Sequence, residues 1–171
     1  MSAVALRHNE ADAGRADTVN IRKATPADGP LLVPLVCAFR DFLQRPAPSD
    51  GDIAASLVYQ LRSPEVDIAI AEEQGAGLGY ATLLYRYSLW ANGLEATLQD
   101  LFVREGLRGT GAGHRLARAA LALAAERGCR SIRLDTNEHN RAANAIYTAL
   151  GFSAVSRVWN GRQLAYRRSL P

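Results

Sequence analysis

The amino-acid sequence predicts an α/β domain of the α+β kind, with a central mixed, mostly antiparallel sheet of six to seven strands and about four helices. Three observations predict it. Strand-forming runs between Val66 and Val103 follow one another through hairpin turns. A glycine-rich turn at Gly109 to Gly113 carries the last of them into a long alanine-rich helix. A further short strand then leads into a helix opening at Asn140. Strands joined by tight turns are antiparallel neighbours, whereas a strand reached through a helix runs parallel to the one before it.

In chain order, residues 1–19 lack an apolar core and read as a flexible tail, neither signal peptide nor helix, while residues 20–171 form a single domain. Residues 20–24 are a short first strand. Thr25-Pro26-Ala27-Asp28 marks a helix start, and Leu31, Leu32, Leu35, Val36 and Phe39 follow at helical spacing. Pro34 falls inside that run, which predicts a late start or a bend. After the prolines between Gln44 and Ser49, Ile53, Leu57 and Leu61 mark a second helix that stops before Pro64. Residues 66–72 and 78–87 are strands about a hairpin at Gln74-Gly75-Ala76-Gly77, and residues 95–103 are a third strand after Asn92-Gly93. Leu116, Ala120, Leu123 and Ala124 form the buried stripe of the next helix, which Gly128 ends. Residues 132–136 are a strand parallel to the third. A helix over 140–150, closed by Gly151, precedes two last strands, 152–157 and 163–168, about the turn Asn160-Gly161.

Composition excludes several classes. Of 171 residues, 48% are hydrophobic and 22% charged, as in a soluble globular protein. No apolar run approaches the ~20 residues that span a membrane. The formal net charge of +3 would suit nucleic acid, yet the basic residues are scattered, and the local group Arg104, Arg108, Arg115 and Arg118 surrounds the glycine-rich turn. No nucleic-acid partner is expected. Cys37 and Cys129 lack metal-ligand spacing and are not expected to pair, which fits a reducing cytoplasm, and no metal site is expected.

The stretch from Leu101 to His114 reads Leu-Phe-Val-Arg-Glu-Gly-Leu-Arg-Gly-Thr-Gly-Ala-Gly-His, a strand end, a basic excursion and a helix start. The first amides of a helix have no intrahelical partner and sit at the positive end of its dipole, so backbone alone can grip a phosphate. Gly109, Gly111 and Gly113 remove the Cβ atoms that would hold a ligand off, and Arg108 adds a forked cation. A nucleotide-triphosphate loop needs Lys and then Ser or Thr after its last glycine, where His114 and Arg115 stand, so that reading fails. A dinucleotide-binding turn needs a third small residue at His114. Asp135 sits where a ribose-binding acid would, but the antiparallel run before the loop opposes the parallel sheet of that fold. The third reading is Arg-x-x-Gly-x-Gly, matched by Arg108, Gly111 and Gly113, which resembles the pyrophosphate loop of the GNAT superfamily of acyl-CoA-dependent N-acetyltransferases. A second segment resembles the other signature of that superfamily: Asn140 opens a helix, Ala143 follows at i+3, Tyr147 at i+7, and Gly151-Phe152 ends it. Within the resembling span, residues 20–170, the stretches from Gln99 to Val103 and from Glu138 to Asn140 look most like the polyamine and diamine acetyltransferase branch.

The resemblance implies a splayed strand pair that binds acetyl-CoA as co-substrate, and direct transfer of its acetyl group to a primary amine, expected to be a small molecule, in a ternary complex. It implies that the main chain of Leu101, Phe102 and Val103 meets the pantetheine arm and acetyl carbonyl. Arg108, Gly109, Thr110, Gly111, Ala112, Gly113 and His114 would hold the pyrophosphate, and Asn140 would touch the cofactor arm while capping its helix. Tyr147 is the candidate general acid for the departing thiolate. Asp100 and Glu138, expected to converge at strand ends beside the cleft, are the candidate bases, acting through a water. Gln99 stands where the branch tends to carry Glu, and an amide cannot take a proton, which favours a modestly charged amine over a long polyamine. Tyr85, Tyr87, Trp90 and Phe102 with Glu95, Asp100 and Glu138 can line a pocket for a cationic amine or, equally, fill a sheet face or a homodimer contact. Two further readings stay open: acetylation of protein N-termini or lysines, and a GNAT-fold module that binds acyl-CoA without catalysis.

Overall fold

The computed structural model describes residues 19–156 and 158–169, so the expected N-terminal tail before Val19 lies outside the described residues, as do Arg157, Leu170 and Pro171. Five strands, β1 (Asn20–Lys23), β2 (Val66–Glu73), β3 (Ala76–Ser88), β4 (Gly93–Val103) and β5 (Ser131–Arg133), form one sheet in sequential order. Neighbours from β1 to β4 are antiparallel and β5 is parallel to β4, as the hairpin and crossover pattern predicts. Four α-helices pack on the sheet: α1 (Gly29–Phe42), α2 (Asp50–Gln60), α3 (Ala112–Glu126) and α4 (Arg141–Ala149).

Side-chain alternation along the strands produces two apolar layers. On one face Leu32 and Leu35 of α1 with Ile53 and Leu57 of α2 cover Ile68, Ile70, Tyr80 and Phe102. On the other, Leu116, Ala120 and Ala124 of α3 cover Ala69, Ala81, Leu83, Tyr85, Ala96 and Leu98. The predicted helix start at Thr25 appears as one 3-10 turn over Pro26–Asp28 that feeds α1. Its Asp28 carboxylate accepts from the Thr25 amide at 2.7 Å and from both Arg22 Nη atoms at 2.8 and 2.7 Å. Pro34 does not delay α1, which runs through it. The ring removes the bond to the carbonyl of Pro30, a loss confined to the first turns. Ser49 caps α2 by accepting from the Asp52 amide at 3.2 Å.

The expected count of six to seven strands is not reached. Beyond α4 the chain makes the Asn160-Gly161 turn and a single bridge, Val155↔Arg162, but no strand forms over the described parts of 152–157 and 163–168. Val155, Val158, Trp159, Leu164 and Tyr166 are exposed there, and strand propensity expresses fit to a half-buried pleated surface that these side chains do not meet. β5 is also shorter than predicted, ending at Arg133.

Candidate active site

β4 is an inner strand over its first half and an edge over its second. Its pairing with β5 stops at Thr97↔Arg133, while pairing with β3 continues to Gly79↔Val103. From Leu98 to Val103 one side of β4 has no strand partner among the described residues, which leaves that edge of the main chain open apart from the Val103 carbonyl, which accepts from Arg108 Nε.

A bulge re-aims side chains in this stretch. Thr82 pairs with Asp100 and Leu83 with Leu98, so Gln99 is the extra residue. Ala96 and Leu98 face α3, and regular alternation would put Asp100 beside them. The bulge instead turns Asp100 and Phe102 to the face that α1 and α2 cover, while Leu101 and Val103 return to the α3 face. Asp100 is half-buried and no side chain among the described residues donates a hydrogen bond to it. Burial pushes its carboxyl above the ordinary range, and the charge of Arg45 opposes that only in part.

Tyr147 stands on α4 with its ring edge-on to Phe152, centroids 5.8 Å apart, and packs against the α3-side core. Burial, then the charges of Asp100 and Asp135, push its phenol above the usual tyrosine value. Asp100 and Tyr147 thus sense each other across the opening between β4 and β5. Asn140 caps α4 by accepting from the Ala143 amide at 3.3 Å, and Asn144 Nδ2 donates to the carbonyls of Asn137 and Asn140 at 2.9 and 2.8 Å, holding the loop before the helix.

The start of α3 completes the cleft. No side chain caps it, and its first backbone bond is Arg115 N–H to the Gly111 carbonyl at 3.0 Å, leaving the amides of Ala112, Gly113 and His114 without intrahelical acceptors. Within the protein itself, the three glycines answer to two different demands. A Cβ at Gly109 or Gly111 would meet no atom within 4 Å; what demands glycine is left-handed backbone, φ +85° and +84°. Only Gly113 is a matter of room, since a Cβ there would lie 3.1 Å from Ile146 Cδ1 of α4 and 3.8 Å from Val103 Cγ2. Thr110 Oγ1 donates to the Leu107 carbonyl at 2.8 Å and braces the turn. Arg108 donates from Nε to the Val103 carbonyl at 3.2 Å and lies 4.2 Å over the Phe42 ring, which links the loop to α1.

On the α2 face, beyond Asp100, a groove of about 770 Å³ is lined by Tyr59, Glu65, Arg86, Thr97, Gln99 and Arg133 among others. The sequence model described as the acetyltransferase (GNAT) family matches residues 36–152. The chain belongs to that family.

Among curated relatives of this GNAT chain, an uncharacterised N-acetyltransferase of Bacillus subtilis is 34% identical over 134 residues, 78% of this chain and 89% of that protein. The thialysine N-ε-acetyltransferase of Bos taurus is 32% identical over 94 residues, 54% of this chain and 55% of that protein, in line with the polyamine-like look of the Gln99 and Glu138 stretches. A solved Arthrobacter sp. FB24 structure described as an acetyltransferase superposes with TM-score 0.79 at 29% identity, covering 88% of this chain and 96% of that one. An aminoglycoside N-acetyltransferase solved with CoA shares the fold at TM-score 0.70 and 22% identity, covering 89% and 95%.

Some expected members of the GNAT site do not gather. Glu138 is exposed in the loop before α4, beyond the end of β5 at Arg133, and lies 3.5 Å from Arg162, while the charge that acts on Asp100 is that of Arg45. The aromatic group divides as well. Tyr85 is buried on the α3 face and donates to Asp67 at 3.0 Å, Phe102 stacks with Phe39 and Tyr80 on the opposite face, and Tyr87 and Trp90 are exposed near the β3–β4 turn. Sequence reading missed Asn144, signalled by its place four residues after a helix-opening Asn, and Arg45, which carries no local signal. Among the described residues no three His, Cys, Asp or Glu side chains assemble as metal ligands would, and no helix is long and apolar enough to cross a membrane.

Proposed function

We propose that this GNAT protein acetylates a primary amine of a small molecule with acetyl-CoA, by direct transfer within a ternary complex, in the reducing cytoplasm where Cys37 and Cys129 stay free. The observation that carries the reading is the half-open strand β4, which runs past Asp100, re-aimed by the Gln99 bulge, and leads through a short turn to the uncapped start of α3. This geometry suits acetyl-CoA: an extended arm finds main-chain partners along Leu101 to Val103, and the amides from Ala112 to His114 with Arg108 suit a pyrophosphate. Asn140 keeps its side-chain amide for the arm while its oxygen caps α4.

Acetyl-CoA brings an activated thioester. Asp100, turned inward by the bulge, takes the ammonium proton through a water, so the amine lone pair can form the new N–C bond as the C–S bond breaks. Tyr147, held protonated by burial and by the neighbouring carboxylates, gives its proton to the leaving sulfur. Glu138 is assigned to the rim, where it attracts cationic acceptors. A panel of monoamines, diamines, aminoglycosides and peptides assayed for CoA release tests the reading. Release with small amines is expected; release with peptides alone would move the function to protein acetylation, and CoA binding with no release on any amine would make the chain a binding module.

A further inference from the structure

Two hydroxyls on the face of the sheet that α1 and α2 cover have no hydrogen-bond partner among the described residues, although Tyr80 is only 2% exposed and Thr82 only 3%. No fully buried side-chain nitrogen or oxygen among the described residues lacks a partner, so both hydroxyl oxygens border space that a water molecule can touch. Enclosed hydroxyls of this kind are satisfied by bound water, which makes about three hydrogen bonds in such places.

The register brings both to the candidate base. Thr82 is directly opposite Asp100 across β3 and β4, and Tyr80 is one pair further on, opposite Phe102. Residues on one face of such a pair stand about 5 Å apart when opposite and roughly 7–8 Å apart on the diagonal, within reach of an aromatic side chain. Phe39 of α1 holds the Tyr80 ring edge-on at 6.3 Å and lies 5.2 Å from the Phe102 ring, which fixes the phenol from above. Burial, then the charge of Asp100, holds that phenol well above its usual value, so it remains a donor. Neither hydroxyl bonds the carboxylate directly, and a single water spans such a separation.

Resting on the amine-acetylation reading, we propose that Tyr80 and Thr82 are positioning residues that hold one water against Asp100, and that this water carries the proton from the acceptor ammonium to the carboxylate. The inventory of donors sets how it sits. Tyr80 Oη–H donates to the water, and the water donates one hydrogen to Asp100 and the other to Thr82 Oγ1, which leaves a single lone pair facing the ammonium. An ammonium N–H bond breaks onto that lone pair as the water passes its own proton to the Asp100 oxygen. The amine keeps the electron pair that attacks the thioester, and the water is regenerated. Asp100 faces Tyr80 from β3, Tyr147 from α4 and Arg45 from the turn after α1, and of these four side chains the carboxylate alone can accept a proton at neutral pH.

Tyr80→Phe and Thr82→Val each remove one hydroxyl and keep the shape of the side chain. Each is expected to lower kcat at pH 7 by about tenfold with the KM for the amine within about twofold, and the loss should shrink at pH 9, where more free amine exists and less proton removal is required. Thr82→Ser restores a hydroxyl and should recover most of the rate. Because both hydroxyls act on one water, the double variant should lose little more than the worse single one. A crystal structure of the parent enzyme is expected to show an ordered water within about 3 Å of Tyr80 Oη, Thr82 Oγ1 and an Asp100 oxygen. Equal losses at pH 7 and pH 9, a Thr82→Ser variant no better than Thr82→Val, or a crystal structure with no water at that point would overturn the assignment. If Asp100→Asn shows the pH-dependent loss and the two hydroxyl variants do not, the water assignment falls and amine acetylation stands; if no amine releases CoA, both fall.

Discussion

Burial drives Asp100 and Tyr147 toward the same condition, the neutral one, although the proposed chemistry needs a base from the first and an acid from the second. For Tyr147 the raised value is an asset, because the phenol keeps its proton into the alkaline range. Tyr147→Phe is expected to leave CoA affinity within a few-fold and to lower turnover by ~10²-fold, read as kcat against a calorimetric Kd. Full turnover in the variant would make Tyr147 a packing residue against Phe152. Asp100 must ionise to act, and an alkyl ammonium near pKa 10 needs its help most when little free amine exists. Asp100→Asn should therefore cost more rate at pH 7 than at pH 9, and an equal loss at both would assign Asp100 a structural role. Tyr147 was legible because helix spacing from Asn140 fixes its face. The turn of Asp100 was legible too, and went unread: apolar residues two apart at Ala96 and Leu98 resume at Leu101 and Val103, a break that only an extra residue in the strand explains. Glu138 could not be placed from sequence, since its position depends on where β5 leaves β4.

The elements divide by how locally they are determined. Hairpins at Gln74-Gly75 and Asn92-Gly93 form where the sequence puts them, because turn chemistry is local. The length of β5 and the missing last strands are set by neighbours, and strand-forming composition alone cannot supply those. Pro34 shows the same limit from the other side, since its cost depends on how close it lies to the helix start, and α1 begins at Gly29. The start of α3 yields a sharp test. Valine at position 111 would meet no clash, yet it must adopt φ near +84°, where a β-branched residue is strained by roughly 1–2 kcal/mol. Gly111→Val is expected to rotate the turn, misalign the first amides of α3 and weaken CoA at least about tenfold by calorimetry, with the fold retained. Unchanged CoA affinity would mean that the amides of that turn do not grip the phosphates.

Across the whole molecule, carboxylates pull stability in two directions as pH changes. The Arg22 guanidinium, with Thr25, holds the Asp28 carboxyl far below its ordinary range, and Asp67, although burial works to raise it, is drawn down by hydrogen bonds from Arg127, Lys23 and Tyr85. A folded value below the unfolded one contributes stability above the ordinary carboxylate range, and that contribution disappears as pH falls through the lowered value. Asp100 has the reverse sign. Its folded value is raised, so its ionisation costs stability above the ordinary carboxylate range and costs nothing well below it, where the group is protonated in both states. Removing each charge should then move Tm oppositely at pH 7. Asp28→Asn leaves Arg22 with fewer partners and is expected to lose about 3 kcal/mol, a drop of roughly 10 °C. Asp100→Asn should raise Tm by a few degrees at pH 7 and by nothing near pH 3, the pattern of a carboxylate kept for chemistry at the expense of the fold. Thermal melts of both variants over pH 3 to 8 decide the matter: a Tm for Asp100→Asn at or below the parent value at pH 7 would show that the ionised carboxylate stabilises the fold, and would remove the strained base from the proposed mechanism.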